Sequence, residues 1–287
     1  MLLLDGKAVA AGLRREVADR VAGGLAMHGR PPGLTVILVG DDPASHVYVR
    51  NKERACQETG IASETLRLPA DTPQEKLLEA IHELNARPEV DGILLQLPLP
   101  KGLDSRICLE TIAPDKDVDG FHAVNMGRLA LDLPGFRPCT PAGVMALLEH
   151  YGLSPAGKSA VVVGRSNIVG KPLALMLAAN HPMGNATVTI CHSRTLNLAA
   201  VCRTADFLFL AMGQARCVGC EMVKPGAVVV DVGISRTEQG LCGDCDFERL
   251  RDMVAAITPV PGGVGPMTIA QLLRNTLQAY EAHMATS

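Results

Sequence analysis

The chain has 287 residues, enough for two domains or one large α/β domain, and 47% of them are hydrophobic, so full cores can be built. A net charge of -3 argues against a nucleic-acid partner or an acidic membrane surface. No apolar run approaches the roughly 18 residues that span a bilayer, and "MLLLDGKAVAAGLRREVADRV" lacks the basic flank of a signal peptide, so the sequence predicts a cytoplasmic protein with no membrane partner.

Helical and strand patterns alternate along the chain. "AVAAGLRREVADRVAGGLAMHG" has the spacing of an amphipathic helix, and "PGLTVILVG" reads as a buried strand ending in Gly40. The stretch "SHVYVRNKERACQETG" predicts a helix capped by Ser45 and terminated by Gly60. At about 100° per residue, Arg50, Glu53, Arg54 and Gln57 gather on one side. Tyr48, Lys52, Ala55 and Thr59 share the other, with Cys56 beside them, so one lysine falls on the face that should be buried. Two outcomes are open for Lys52: it snorkels out of a core edge, or it faces a binding site. "SETLRLP" (strand), "PQEKLLEAIHELNAR" (helix) and "DGILLQLPLP" (strand) complete this series.

A second series follows the helix "RPCTPAGVMALLEHYG", with Pro141 near its first turn. Its strands are "SAVVVG", "ATVTIC", "FLFLAMG", "AVVVDVGIS" and "AAITPV", runs without polar alternation that suit strands covered on both faces. Such βαβα alternation implies parallel strands with helices packed on the sheet. After "VPGGVGPMT" comes a last helix, "IAQLLRNTLQAYEAH".

Nine cysteines, an odd number, fit a reduced compartment better than a disulfide framework. "CVGC" (Cys217, Cys220) and "CGDC" (Cys242, Cys245) outline a tetrathiolate, but their spacer exceeds the usual zinc-ribbon range and contains an apolar strand. The alternative is cysteine standing in for small apolar residues. No metal site is assigned.

"KSAVVVGRSNIVGKPLALML" runs strand, glycine turn, helix, with Gly164, Ser166 and Gly170 in the turn and Pro172 early in the helix. Unpaired amides and the positive helix end would meet there, a site for a pyrophosphate; an ordinary tight βα turn is the alternative. An NAD site usually places an acid at the end of the next strand. Here "TICHSRT" offers Ser193 and Arg194 instead, and Arg165 projects from the first turn, a set that matches a ribose carrying an extra phosphate. NADP is the cofactor this predicts.

Gln96 is the lone polar side chain in the run "DGILLQLPLP", near the strand end at which open α/β sheets bind ligands. It either serves a site or bonds a neighbouring loop backbone. "PDKDVDGFH" imitates the start of a calcium loop, but Met126 stands where the bidentate glutamate belongs, which excludes calcium. A solvated turn accounts for Asp115 and Asp117; Asp119, beside Gly120 and Phe121, is the acid placed against a ligand.

Taken in order, "YVRNK", "LLQLPLP", "DKDVDGFH", "GRSNIVGKP", "HSRT", "VVVDVGIS" and "TPVPGGVGPMT" resemble the bifunctional methylenetetrahydrofolate dehydrogenase/methenyltetrahydrofolate cyclohydrolase family over nearly the whole chain. The resemblance implies a two-domain α/β fold. Residues 1–140 would form an α/β folate-binding catalytic domain, completed by a C-terminal helix at 267–287. Residues 141–266 would form a Rossmann-like NADP-binding domain with a mainly parallel sheet, with a deep cleft between the two. Tetrahydrofolate derivatives as substrates, NADP as cofactor and a homodimer through the NADP domains are likewise implied. Residue by residue, Lys52 becomes the catalytic lysine and Tyr48 the wall on which the folate's aromatic portion stacks. Gln96 bonds and tunes Lys52, Pro98 lies along the substrate, and Asp119 grips the pterin's amino-bearing edge. Gly164 and Gly170 shape the nucleotide turn. Arg165, Ser166 and Ser193, with Arg194, hold the cofactor's phosphate side, and Ile234 gives backbone contacts near the nicotinamide. The loop holding Pro261 and Gly262 closes the cleft. The two CxxC pairs depart from the family pattern. Two rivals stand beside this reading: another two-domain dehydrogenase of shikimate type, and a zinc-stabilised nucleotide-binding protein without turnover.

Overall fold

The structure, a computed structural model, describes residues 1–238 and 240–286. Ser287, the last residue of the predicted C-terminal helical segment, lies outside the described residues. The chain divides into two compact units, one comprising Ala11–Arg128, Pro134–Cys139 and the residues from Ile269 onward, the other Met1–Ala10, Leu129–Leu133 and Thr140–Thr268. It opens on strand β1 (Leu2–Leu3) and helix α1 (Gly6–His28).

The first unit is built on three parallel strands in the order β3-β2-β4, namely β3 (Ala62–Leu68), β2 (Gly33–Val39) and β4 (Gly92–Leu95). Central β2 is buried at every residue, whereas edge strand β3 is largely exposed. Side chains alternate across a strand, so β2 feeds two cores. Ile37 and Val39 join Ile93 and Leu95 against Leu77, Ile81 and Leu84 of α3 (Gln74–Ala86). Leu34, Val36 and Leu38 join Leu94, Val49 and Cys56 on the opposite face. That second core is completed by Leu272, Leu273, Leu277 and Tyr280 of the last helix, α10 (Val264–Thr286). Burying each such side chain contributes about 1.5–3 kcal/mol. The predicted strand Asp91–Pro100 is shorter than expected: its last ladder bond is Gln96 N to Ile37 O (2.9 Å), and beyond it Pro98 and Pro100 have no amide to donate.

Helix α2 (Pro43–Thr59) starts earlier than predicted, and its cap is Asp42 rather than Ser45. Asp42 accepts from Ser45 N at 2.8 Å, and proline is tolerated at a first helical position because that amide needs no partner. Gly60 does end the helix, left-handed at φ 77°. Two short helices that periodicity does not reveal, α4 (Ser105–Thr111) and α5 (Ala123–Ala130), flank the turn carrying Asp117 and Asp119.

The second unit takes in nearly all of α6 (Cys139–His150) and holds a parallel sheet of β5 (Ser159–Val163), β6 (Thr187–Cys191), β7 (Phe207–Leu210), β8 (Val228–Asp231), β11 (Ala256–Ile257) and β1. Its order is β1-β11-β8-β7-β5-β6. The chain steps from β5 to β6 on one side and to β7 on the other, so the topological switch point lies at β5. Helix α7 (Gly170–Ala178) follows β5 and α8 (Leu198–Cys202) follows β6. The edge strand formed by Leu2 and Leu3 is too short to carry a periodic signal. Strand β6 is the other edge, with Thr187, Thr189 and Ile190 exposed, so it is not covered on both faces as its sequence suggested.

The predicted single strand "AVVVDVGIS" breaks after Asp231. That carboxylate turns back to accept Gly233 N and Asp244 N at 3.0 Å and Cys245 N at 2.8 Å. The chain then forms an antiparallel pair, β9 (Ser235–Thr237) with β10 (Gly240–Cys242), before the short α9 (Phe247–Leu250). The CxxC thiols find separate partners: Cys217 Sγ donates to Asp244 O at 3.4 Å and Cys220 Sγ to Arg249 O at 3.3 Å. Among the described residues no group of three or more His, Cys, Asp or Glu side chains is placed to hold a metal ion. Among them, too, no helix is long and apolar enough to cross a membrane.

Candidate active site

Lys52 is the decisive residue of the three-stranded unit. It lies on the buried face of α2 and is only 5% exposed. An ammonium there needs an acceptor. Its Nζ donates to Gln96 Oε1 at 3.0 Å and sits 5.1 Å from the centroid of the Tyr48 ring, one helical turn away. Gln96 follows directly on β4, and its Nε2 donates to Leu97 O at 2.7 Å. The loop-backbone reading of this glutamine holds: the Leu97 carbonyl fixes the amide, which leaves Oε1 pointing at the lysine. Burial lowers the Lys52 pKa, while Asp119, Cys139 and Cys56 pull it back up. An amine so placed gives up its proton nearer to neutrality than a solvated lysine.

Asp119 arrives from the turn between α4 and α5. Burial raises its pKa, and Lys52 together with the Cys139 thiol draws it down. The turn is anchored at several points. Lys116 Nζ donates to Arg87 O (2.7 Å) and Leu84 O (3.4 Å) at the end of α3, and Ile93 N donates to Lys116 O (2.8 Å). Asp117 is not the solvated acid that the sequence suggested: it is 1% exposed and accepts three hydrogen bonds. Polar spacing in "DKDVDG" says nothing of the helices that close over it.

Two contributors escaped the sequence reading. Cys139, between two prolines in "RPCTP", is buried beside Asp119, with Sγ 3.3 Å from Val118 O. Asn275 of α10 donates through Nδ2 to Val118 O (2.8 Å) and Arg137 O (3.0 Å), binding the Asp119 segment to the Cys139 segment. Gln271 Nε2 holds Asn275 Oδ1 at 2.9 Å. The available signal was two buried-face amides one turn apart amid Leu272, Leu273 and Leu277. Pro98 is exposed at the end of the Gln96 segment.

The six-stranded unit gathers the predicted nucleotide residues at strand ends. Gly164 closes β5 at φ 131°, and a Cβ there would run into the Ala211 carbonyl. A Cβ on Gly170 would collide with Gly164 O, so this turn folds on itself only with glycine at both places. Ser166 Oγ accepts Val169 N at 3.1 Å and Gly170 N at 3.4 Å. The opening amide of α7 is thus partly satisfied from within, contrary to the expectation of unpaired donors, and the outward groups are the exposed side chains of Arg165 and Ser166. Because β5 and β6 pair with Val163 opposite Cys191, Ser193 and Arg194 leave the sheet on the adjoining strand end, also exposed. Cations, hydroxyls and a cradle that a Cβ would fill suit a phosphorylated ribose, and no carboxylate follows β6 to disfavour it. Ile234 is exposed just beyond β8. Pro261 and Gly262 (φ 110°) belong to this unit as well, in a loop whose Gly262 O accepts Lys7 N at 2.9 Å.

Comparison with known proteins accounts for both halves. The family model for the tetrahydrofolate dehydrogenase/cyclohydrolase catalytic domain matches residues 4–119, and that for the NAD(P)-binding domain matches residues 138–284. The chain belongs to the tetrahydrofolate dehydrogenase/cyclohydrolase family. It is 69% identical over 281 residues to the bifunctional protein FolD of Nitratidesulfovibrio vulgaris (strain DSM 19637 / Miyazaki F), covering 98% of each chain. Among solved structures, the FolD methylenetetrahydrofolate dehydrogenase/cyclohydrolase of Campylobacter jejuni superimposes with a TM-score of 0.95 at 48% identity, over 98% of this chain and 99% of that one. The Trypanosoma brucei FolD, solved with NADP cofactor and an inhibitor, gives a TM-score of 0.93 at 38% identity, over 99% and 98%. Membership in this family gives the chain its two activities, dehydrogenase and cyclohydrolase.

Proposed function

We propose that this family member oxidises 5,10-methylenetetrahydrofolate to the 5,10-methenyl cation with NADP, then hydrolyses the cation to 10-formyltetrahydrofolate, with Lys52 as the group that moves protons. NADP supplies the hydride acceptor. Residues 1–140 and the helix from 267 serve the folate, and residues 141–266 serve the nucleotide, in a chain that works as a homodimer and takes no nucleic acid. Arg165, Ser166, Ser193 and Arg194 bind the phosphates at the Gly164–Gly170 turn, and Ile234, Pro261 and Gly262 border the nicotinamide and folate. On the folate side, Tyr48 provides a flat wall, Asp119 accepts from the amino-bearing edge of the pterin, and Pro98 lines the tail.

The oxidation needs alignment of the one-carbon bridge more than it needs an acid or base. The hydrolysis does need proton transfer: water adds to the cation, a proton leaves that water, and a ring nitrogen gains one as the C–N bond opens. Lys52 takes the water's proton and returns one to nitrogen. The observation that carries this reading is the buried Lys52 Nζ, its pKa lowered, fixed 3.0 Å from Gln96 Oε1. The test is Lys52→Met. Loss of general acid–base catalysis lowers hydrolysis of the methenyl compound by about 10²–10⁴-fold, while NADP and folate still bind. Undiminished hydrolysis would remove Lys52 from the mechanism.

A further inference from the structure

Asp117 is a buried carboxyl that the mechanism above leaves unused. Its Oδ1 accepts Phe121 N at 3.2 Å, and its Oδ2 accepts His122 N and Asn125 Nδ2, both at 2.9 Å. Every partner is a donor, so the ionised form satisfies all three, whereas a proton on either oxygen would face an N–H. The least costly place for that proton is Oδ1, opposite the longest bond, and this releases Phe121, two residues beyond Asp119. The turn between them has little slack. Gly120 is left-handed at φ 75°, and a Cβ there would stand 2.7 Å from both Arg137 C and Pro138 N, so the backbone packs directly on the segment leading to Cys139. Asn125 reinforces the case. It is fully buried, and its Oδ1 is without a partner among the described residues, while Nδ2 is divided between Pro114 O and Asp117. An amide kept at that cost is there for its donor side.

We infer that Asp117 is a positioning residue for folate binding: its ionised carboxylate holds the 117–122 turn in the shape that presents Asp119, and protonating it loosens the substrate. This rests on the reading of Asp119 as the group that grips the pterin. Burial raises the Asp117 pKa to about 6, with Asn125 and the His122 amide opposing and Asp119 adding to the rise. The titratable groups facing it are Asp119 on its own turn and the buried Cys139 thiol at the start of α6. Strand β4 presents Ile93 and helix α5 presents Asn125, both uncharged. The Lys116 ammonium is spent on the end of α3, and the His122 ring lies against Glu110 O at 3.2 Å.

The experiment measures KM for methylenetetrahydrofolate and for NADP between pH 5 and 8 in the wild type and in Asp117→Asn, Asn125→Ala and Asp119→Asn, with a melting curve for each. In the wild type the folate KM rises below about pH 6, while the NADP KM stays level. Asp117→Asn raises the folate KM about five- to tenfold, the loss of one hydrogen bond, and abolishes the inflection. Asn125→Ala removes a donor that favours the ionised form and so moves the inflection to higher pH. An inflection that persists in Asp117→Asn, or fails to move in Asn125→Ala, overturns the inference. Asp119→Asn separates the two levels: if it leaves the folate KM unchanged, the underlying reading of Asp119 fails. If it raises that KM while Asp117→Asn matches the wild type, the inference alone fails.

Discussion

Replacing Gln96 by glutamate tests the lysine chemistry most sharply, because it swaps a neutral acceptor for a charged one in nearly the same volume. The acceptor stands 3.0 Å from Lys52 Nζ. At an effective dielectric constant of about 20, two unit charges at that separation attract by about 5 kcal/mol, equivalent to nearly four pH units on the lysine. The new carboxylate also loses hydration, which reduces the net rise to about two to four units. The neutral fraction of Lys52 at fixed pH then falls by about 10²–10⁴. Hydrolysis of the methenyl compound, followed by the decay of its absorbance, should drop by that factor near pH 7.5 and recover as pH is raised. NADP reduction, which asks less of the amine, should suffer much less. Gln96→Met, lacking the charge, is the control: it removes the acceptor and so lowers the lysine pKa instead. A folded Gln96→Glu enzyme with the wild-type pH profile of hydrolysis would refute the argument that Lys52 acts through its neutral form.

Stability carries a matching signature. Burial lowers the Lys52 pKa below its unfolded value of 10.5, so between those two values the unfolded chain binds more protons and stability rises with pH. Lys52→Met lacks that term; in urea titrations it should be more stable than the wild type near pH 6, with the difference shrinking as pH approaches 10.5. A gap independent of pH would show that the amine is not desolvated. Asn275→Ala strips the side-chain donor from two carbonyls, Val118 O and Arg137 O. Val118 O keeps the weak Cys139 thiol donor while Arg137 O loses the amide, so at about 1–3 kcal/mol for a buried group left unpaired the expected loss is about 1–3 kcal/mol, measurable by the same titration, with a raised folate KM and an unchanged NADP KM. A loss well under about 1 kcal/mol would mean that water replaces the amide.

How much of this was legible in the sequence depended on whether the cause was local. Lys52 could be placed on an inward face from helical spacing alone, and Gln96 could be singled out because an amide in an apolar strand must find a partner. The glycine turn at Gly164–Gly170 was likewise written locally, in residues without side chains. What failed was decided at a distance. Asp117 looked solvated because the residues that bury it come from other segments, among them Asn125. The break in "AVVVDVGIS" is made by the amides of Asp244 and Cys245, well downstream of the aspartate they hold. Cys139 and Asn275 acquired their roles only when α10 brought the segments around Asp119 together. The start of α2 was a local error: Asp42 followed by Pro43 is itself a helix-start signal, and it outranked Ser45.

The placement of α10 has a consequence for how the protein is made. Synthesis delivers Leu34, Val36 and Leu38 long before the residues that seal their face, Leu272, Leu273, Leu277 and Tyr280. Meanwhile Leu2 and Leu3 wait for Ala256 and Ile257 before they have a strand to pair with. Until α10 is made, the three-stranded unit therefore carries an open apolar sheet face, the kind of surface that promotes aggregation. A frameshift or stop codon just ahead of Leu272 would strike the three-stranded unit, whose strands are encoded far upstream.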